Sequence, residues 1–160
     1  MVQNSEWGPP LWRILHTLAE RVGKQTVLML AQDETRAWIG LLQHVEGIMP
    51  CQMCRGHYRA WRTRRSLEGL YGGSDASREW VWALHENVNE QRGVPPEARV
   101  SFAQLEGLYG PTSRSRQEFQ QDIDTLVAVL LRAAQQRLVD GGVVRDWQKR
   151  LGMLRRLVGI

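Results

Sequence analysis

Apolar residues recur at three- and four-residue spacing along nearly the whole chain, and no stretch alternates apolar and polar positions as a half-buried strand would. The pattern predicts an all-α protein. Leu11, Leu15, Leu18 and Val22 form a first stripe; Pro9 and Pro10 suit its opening turn, and Gly23 ends it. A second helix is expected from near Asp33, carrying Trp38, Leu41, Leu42, Val45 and Ile48. Pro50 stops that helix and opens a third, which runs toward Leu70. "YGGSD" then reads as a loop with capping residues. A fourth helix covers Ala76 to Arg92, closed by Gly93 and "VPP", and a short fifth spans Phe102 to Leu108 before "YGP".

The character changes at Ser113. Ser115 and Glu118 match a capping box, and Phe119, Ile123, Leu126, Leu130, Ala134 and Leu138 mark a long amphipathic helix. "DGG" breaks it, and a basic last helix carries Trp147, Leu151, Leu154 and Val158. The expected organisation is a bundle of four helices plus a short fifth over residues 1–112, then a helical hairpin over 113–160. The hairpin is expected to pack on the bundle or extend a dimer interface. Its basic amphipathic last helix would also suit an anionic membrane surface or a partner's acidic face.

Composition narrows the function classes. The chain has 160 residues, room for one domain with a real core, and is 42% hydrophobic and 24% charged, as a soluble globular protein is. The net charge is +4, from arginines dispersed in "RTRR", "SRSR" and "KRLGMLRR". Solvated helix faces account for such runs, so nucleic acid is not expected as a partner. No apolar run reaches membrane-spanning length, and "MVQNSEWGPP" has neither the basic start nor the apolar core of a signal peptide. The expected location is therefore the cytoplasm. Seven tryptophans are a high count; Trp38 and Trp147 read as core, and others cluster near the motifs below, where flat rings could line a pocket for an aromatic ligand.

Both cysteines of the chain, Cys51 and Cys54, sit in "PCQMCRGHYRAW" with His57 just behind them. At a helix start, free backbone N–H groups and the helix dipole favour a thiolate, and the two-residue spacing lets a small disulfide close and reopen. That is redox chemistry. A zinc site would need two further ligands from His57 and a distant histidine, with no second cysteine pair to help, so no metal is expected. A thioredoxin-like domain would need a βαβ framework that the pattern lacks. Two unrelated buried thiols stay open as the plain alternative.

A helical bundle with a reactive cysteine pair needs an electron acceptor, and other motifs bear on what it is. "WGPPLWRILHTLA" puts Trp12 and His16 on one helical face; "EWVWALHENVNEQRGVP" puts Trp82, His85 and Asn89 on one face of the fourth helix. In order, the marks are Gly8, Trp12, Leu15 and His16; Cys51, Cys54, His57 and Tyr58; and Trp80, His85, Val88, Asn89, Gly93 and Pro95. Together they resemble the Erv/ALR family of flavin-linked sulfhydryl oxidases, over Gly8 to Tyr109.

The resemblance implies a helical bundle that binds FAD between its helices, usually as a homodimer. It implies that Cys51 and Cys54 are catalytic, with Cys54 against the flavin and Cys51 the outer sulfur that exchanges with substrate thiols. It implies that electrons pass from thiols to FAD and then to molecular oxygen, giving hydrogen peroxide. Gly8, Trp12, His16, Cys54, His57, Tyr58, Trp82, His85, Val88 and Asn89 would bind the cofactor. Glu86 and Asn87 depart from the family's H-N-x-V-N, and Val94 stands where a basic residue is often found; Arg92 or an arginine of "RTRR" is the candidate to compensate. No shuttle cysteine pair is present, so a thiol protein of thioredoxin-like or C-x-x-C type, or a small dithiol, would have to reach the pair directly. Compact viral members of the family work in such relays, which would place the chain in host cytoplasm or a virion. The rival readings are an inactive binding module of the same fold and a small zinc-stabilised basic nucleic-acid binder.

Overall fold

The computed structural model describes residues 1–72 and 74–160, and among these it is all-helical. Seven α-helices follow in order: α1 (Asn4–Ala19), α2 (Leu28–Ile48), α3 (Gln52–Arg64), α4 (Ser74–Gln91), α5 (Leu105–Tyr109), α6 (Arg116–Gln135) and α7 (Gly141–Val158). Short 3-10 turns cover Leu67–Gly72, Pro96–Ala98 and Phe102–Gln104.

Several boundaries differ from those expected, each for a local reason. Helix α1 starts at Asn4, not at the prolines, because Gln3 and Glu6 form a capping box there. Pro9 and Pro10 lie inside the helix and remove two of its donors. Helix α2 begins at Leu28, before Asp33, with Val27 as its N-cap and no side-chain cap bond. Helix α3 stops at Arg64, and the stretch to Leu70 continues as a 3-10 turn. The capping loop expected at Tyr71–Asp75 is centred on Gly73, which lies outside the described residues. The Ser115–Glu118 capping box forms as expected. The "DGG" stretch, in contrast, starts a helix instead of breaking one: α6 has already ended at Gln135, with Arg137 left-handed at φ 59°, and the Asp140 carboxylate accepts from the Gly142 and Val143 N–H groups to cap α7.

Packing places α6 along α1 and α7 along α2, while α1 also carries α4 and α5, and α2 carries α3 and the Leu67–Gly72 turn. Residues of both C-terminal helices enter the same core as the rest. Trp38 and Trp147 are each 1% exposed; the Trp38 indole donates to Ser77 Oγ and that of Trp147 to the Leu41 carbonyl. Gly47 lets α7 approach, since a Cβ there would stand 2.8 Å from a Val143 methyl. Ionic ties fix α1 on both sides. Asp122 of α6 takes Arg13 and Arg114, Glu6 pairs with Arg132, and Glu20 pairs with Arg78 of α4. Among the described residues no helix is long and apolar enough to cross a membrane.

Candidate active site

Pro50 ends α2, and Cys51 follows as the N-cap of α3, its backbone extended and its Sγ accepting from the Cys54 N–H at 3.1 Å. Cys51 and Cys54 are joined in a disulfide. The cap position explains why the pair sits where backbone donors point outward from the helix.

Beside the pair lies a cavity of about 390 Å³, within the range of small-ligand sites. Helix α1 contributes Asn4, Trp7, Gly8, Leu11, Trp12 and Leu15; α2 and the residue after it contribute Val45 and Met49. Helix α3 gives Met53, Cys54, His57 and Tyr58, and α4 gives Leu84, Asn87, Val88, Gln91 and Arg92 just beyond its end. The walls are mostly apolar and aromatic. Among the described residues no carboxylate lines them, and Arg92 brings a cation to the α4 side. A Cβ on Gly8 would project into open space at this cavity, so the glycine keeps volume free for a ligand. Tyr58 is buried, donates its hydroxyl to the Leu42 carbonyl, and has its phenol pushed above the usual range by burial.

Of the residues expected at the site, Gly8, Trp12, Cys54, His57, Tyr58 and Val88 line the cavity. His16 and His85 stand behind Trp12. The Trp12 and His85 rings stack with centroids 4.0 Å apart, His85 Nδ1 and His16 Nε2 share a hydrogen bond of 2.9 Å, and His16 stacks on Tyr109 at 5.0 Å. Burial lowers His16 to about 3, with the facing His85 adding to the effect. Burial also lowers His85 to about 4, with Arg92 adding. The pair is therefore neutral near pH 7 and forms a polar-cored aromatic wall.

Trp82 is turned away from the cavity: its indole donates to the Val100 carbonyl and packs edge-on against Phe102. Asn89 and Cys51 do not line the cavity either. The face of α4 that does is Leu84, Asn87, Val88 and Gln91, spaced as one helical stripe. Asn87, the asparagine displaced by one place, thus faces the cavity, while Glu86 pairs with Arg99. Asn4, Trp7 and Met53 escaped the sequence reading; an exposed polar residue at a helix start carries no pattern that marks it. Among the described residues no cluster of three or more histidine, cysteine or acidic side chains could hold a metal ion.

Comparison with known proteins bears on what the cavity takes. The model of the Erv1 / Alr family matches residues 9–106, which include the disulfide and most of the cavity lining. Two relatives, each named FAD-linked sulfhydryl oxidase, come from isolates of African swine fever virus. One is 30% identical over 103 residues, covering 64% of this chain and 79% of the relative. The other is 29% identical over 103 residues, with the same coverage. No solved structure matches significantly.

Proposed function

Because the chain belongs to the Erv1/Alr family, we propose that it is an FAD-dependent thiol oxidase whose Cys51–Cys54 pair takes two electrons from substrate thiols. The observation that carries the reading is a disulfide at the start of α3 with its inner sulfur, Cys54, set into the wall of an aromatic cavity. The residues present fit a flavin. The Gly8 opening and the apolar faces of Leu11, Leu15, Val45 and Leu84 suit a flat ring system, and Arg92, Asn87 and His57 offer donors to a phosphate-bearing remainder. Trp12, backed by the neutral His85–His16 pair, would be the rigid stacking surface. When bound, FAD supplies a two-electron acceptor that can return its electrons to molecular oxygen, giving hydrogen peroxide.

The chain's own part is thiol exchange. A substrate thiolate attacks Cys51 Sγ, the Cys51–Cys54 bond breaks, and Cys54 leaves with the electron pair as a thiolate. The second substrate thiol then attacks the mixed disulfide, substrate leaves oxidised, and Cys51 becomes the second thiolate. Cys51 suits the outer role because it lies outside the cavity lining that includes Cys54. Exposed Gln52 and Met53 beside it leave room for a docking thiol protein of thioredoxin-like or C-x-x-C type. With no other cysteine in the chain, that protein must reach Cys51 directly. The homodimer that the resemblance implies would bury the run Val27, Leu28, Met29 and Leu30, which is 41–74% exposed at the start of α2. Leu28→Glu with Met29→Glu should then halve the mass seen by sedimentation. The setting that suits this chemistry is cytoplasm, or host cytoplasm and virion if the chain is viral like its relatives.

The test is spectral. Purified protein should show a flavin band that bleaches with dithiol under nitrogen and returns with air, and Cys54→Ser should keep the band but not bleach. A colourless chain that fails to take up FAD would favour the inactive binding module and overturn the oxidase reading.

A further inference from the structure

Asn4, the first residue of α1, holds its side-chain amide against the disulfide. Asn4 Oδ1 accepts from the indole N–H of buried Trp7 at 3.1 Å, and that bond decides which end of the amide faces where. Nδ2 is left aimed at the sulfurs, 3.6 Å from Cys54 Sγ and 3.9 Å from Cys51 Sγ. The two sulfurs are served differently. Cys51 Sγ, at the N-cap, has the Cys54 backbone N–H at 3.1 Å. Cys54 Sγ, inside the first turn, receives Asn4 Nδ2 on the side of the cavity that both residues line.

We propose that Asn4 is a catalytic residue that hydrogen-bonds the thiolate of Cys54 when the disulfide opens. The inference rests on the pair being the redox centre. In the exchange step the bond between Cys51 and the substrate sulfur forms as the Cys51–Cys54 bond breaks, and the electron pair of the broken bond stays on Cys54 Sγ. A donor already placed at that sulfur meets the negative charge as it develops, and charge on the acceptor strengthens the bond relative to that in the closed disulfide. The outer sulfur needs no such help, since the start of α3 supplies it. The Asn4 amide, nearer to Cys54 than to Cys51, makes Cys54 a better leaving group at the cavity. It also keeps that sulfur charged while it waits for the electron acceptor.

The test isolates Cys54 as a single thiol. Cys51→Ser keeps the cap, because serine is a strong N-cap residue. In that background the pH profile of iodoacetamide alkylation at Cys54, read by peptide mass spectrometry on the full chain, reports thiolate directly. Asn4→Leu should move the midpoint up by about one pH unit, the size of an ordinary hydrogen bond to a charged group. Asn4→Asp should move it further. Its Oδ1 can still accept from Trp7, and an acid in the first turn of α1 suits the helix, so the fold is retained while a negative oxygen replaces the donor. The other titratable or charged groups lining the cavity with Cys54 are His57 and Tyr58 of α3 and Arg92 beside α4, and Glu6 of α1 is paired with Arg132. All are unchanged across the series. If the Asn4→Leu and Asn4→Asp profiles superimpose on that of the Cys51→Ser parent, the inference is overturned, whether or not dithiol bleaches the flavin of the unmodified chain. Bleaching decides the oxidase reading separately.

Discussion

Acid should weaken this fold through one contact, the hydrogen bond between His16 and His85. His16 is 3% exposed and its ring is lowered from 6.5 to about 3; His85 is lowered from 6.5 to about 4. Burial is the main cause for both. The unfolded chain takes a proton on each ring near pH 6.5, whereas the folded chain refuses both until well below pH 5. The rings therefore contribute stability that is complete above pH 6.5 and is lost as the pH falls toward their folded values. Between pH 7.5 and 5 each ring gives up about 2 kcal/mol, and the two together about 4 kcal/mol. That is a large share of a domain stability of about 5–15 kcal/mol. Geometry agrees with the sign, since the 2.9 Å contact leaves room for one proton, and charging both rings would set N–H against N–H. Urea unfolding followed by circular dichroism at the two pH values measures the loss, and His16→Gln should roughly halve it. Glu6, depressed mainly by its hydrogen bond to Arg132, titrates below this window, whereas Glu34, raised by burial, gains stability as the pH falls and opposes the loss, so the difference between the parent and His16→Gln isolates the ring. Stability that stays flat from pH 7.5 to 5, or a His16 ring that titrates near 6.5 by NMR, would refute the reasoning.

Gly8→Leu fills the open space beside Cys54, so the purified variant should fold normally by circular dichroism yet lose most of its flavin absorbance. Asp122→Asn leaves Arg13 and Arg114 facing a neutral amide at a site where the acid is 8% exposed. It should cost about 2 kcal/mol, read as a lower urea midpoint at unchanged slope. Deleting 113–160 removes Val144, Trp147, Leu151 and Leu154 from the core. At about 1.5–3 kcal/mol for each buried side chain, that loss alone rivals the whole stability of a domain. The truncated chain should be aggregated or unfolded by light scattering and circular dichroism, and a folded, flavin-binding 1–112 fragment would refute the packing argument.

What the sequence disclosed and what it hid divide along the range of the interactions involved. Helical periodicity, the Ser115–Glu118 capping box and the cysteine pair at a helix start are set by residues within a turn or two of one another, so they could be read directly. The start of α1 was misleading because Pro9 and Pro10 resemble a first turn, while the operative cap, Gln3 with Glu6, uses a glutamine that seldom signals one. On α4, periodicity put Trp82, His85 and Asn89 on one face, but it could not say which face meets the cavity. That is settled by the Val100 carbonyl drawing Trp82 aside and by Trp12 stacking on His85. Asn4 was invisible for the same reason, since its bond to Cys54 spans 50 positions. Glu86 and Asn87 make the distinction most sharply. In the sequence they look like a damaged motif. In the fold the displaced asparagine faces the cavity, and the glutamate turns to Arg99. A motif read by position counts letters, whereas a binding site depends on which side chains reach it, and here the one-place shift still delivers an amide to the cavity wall.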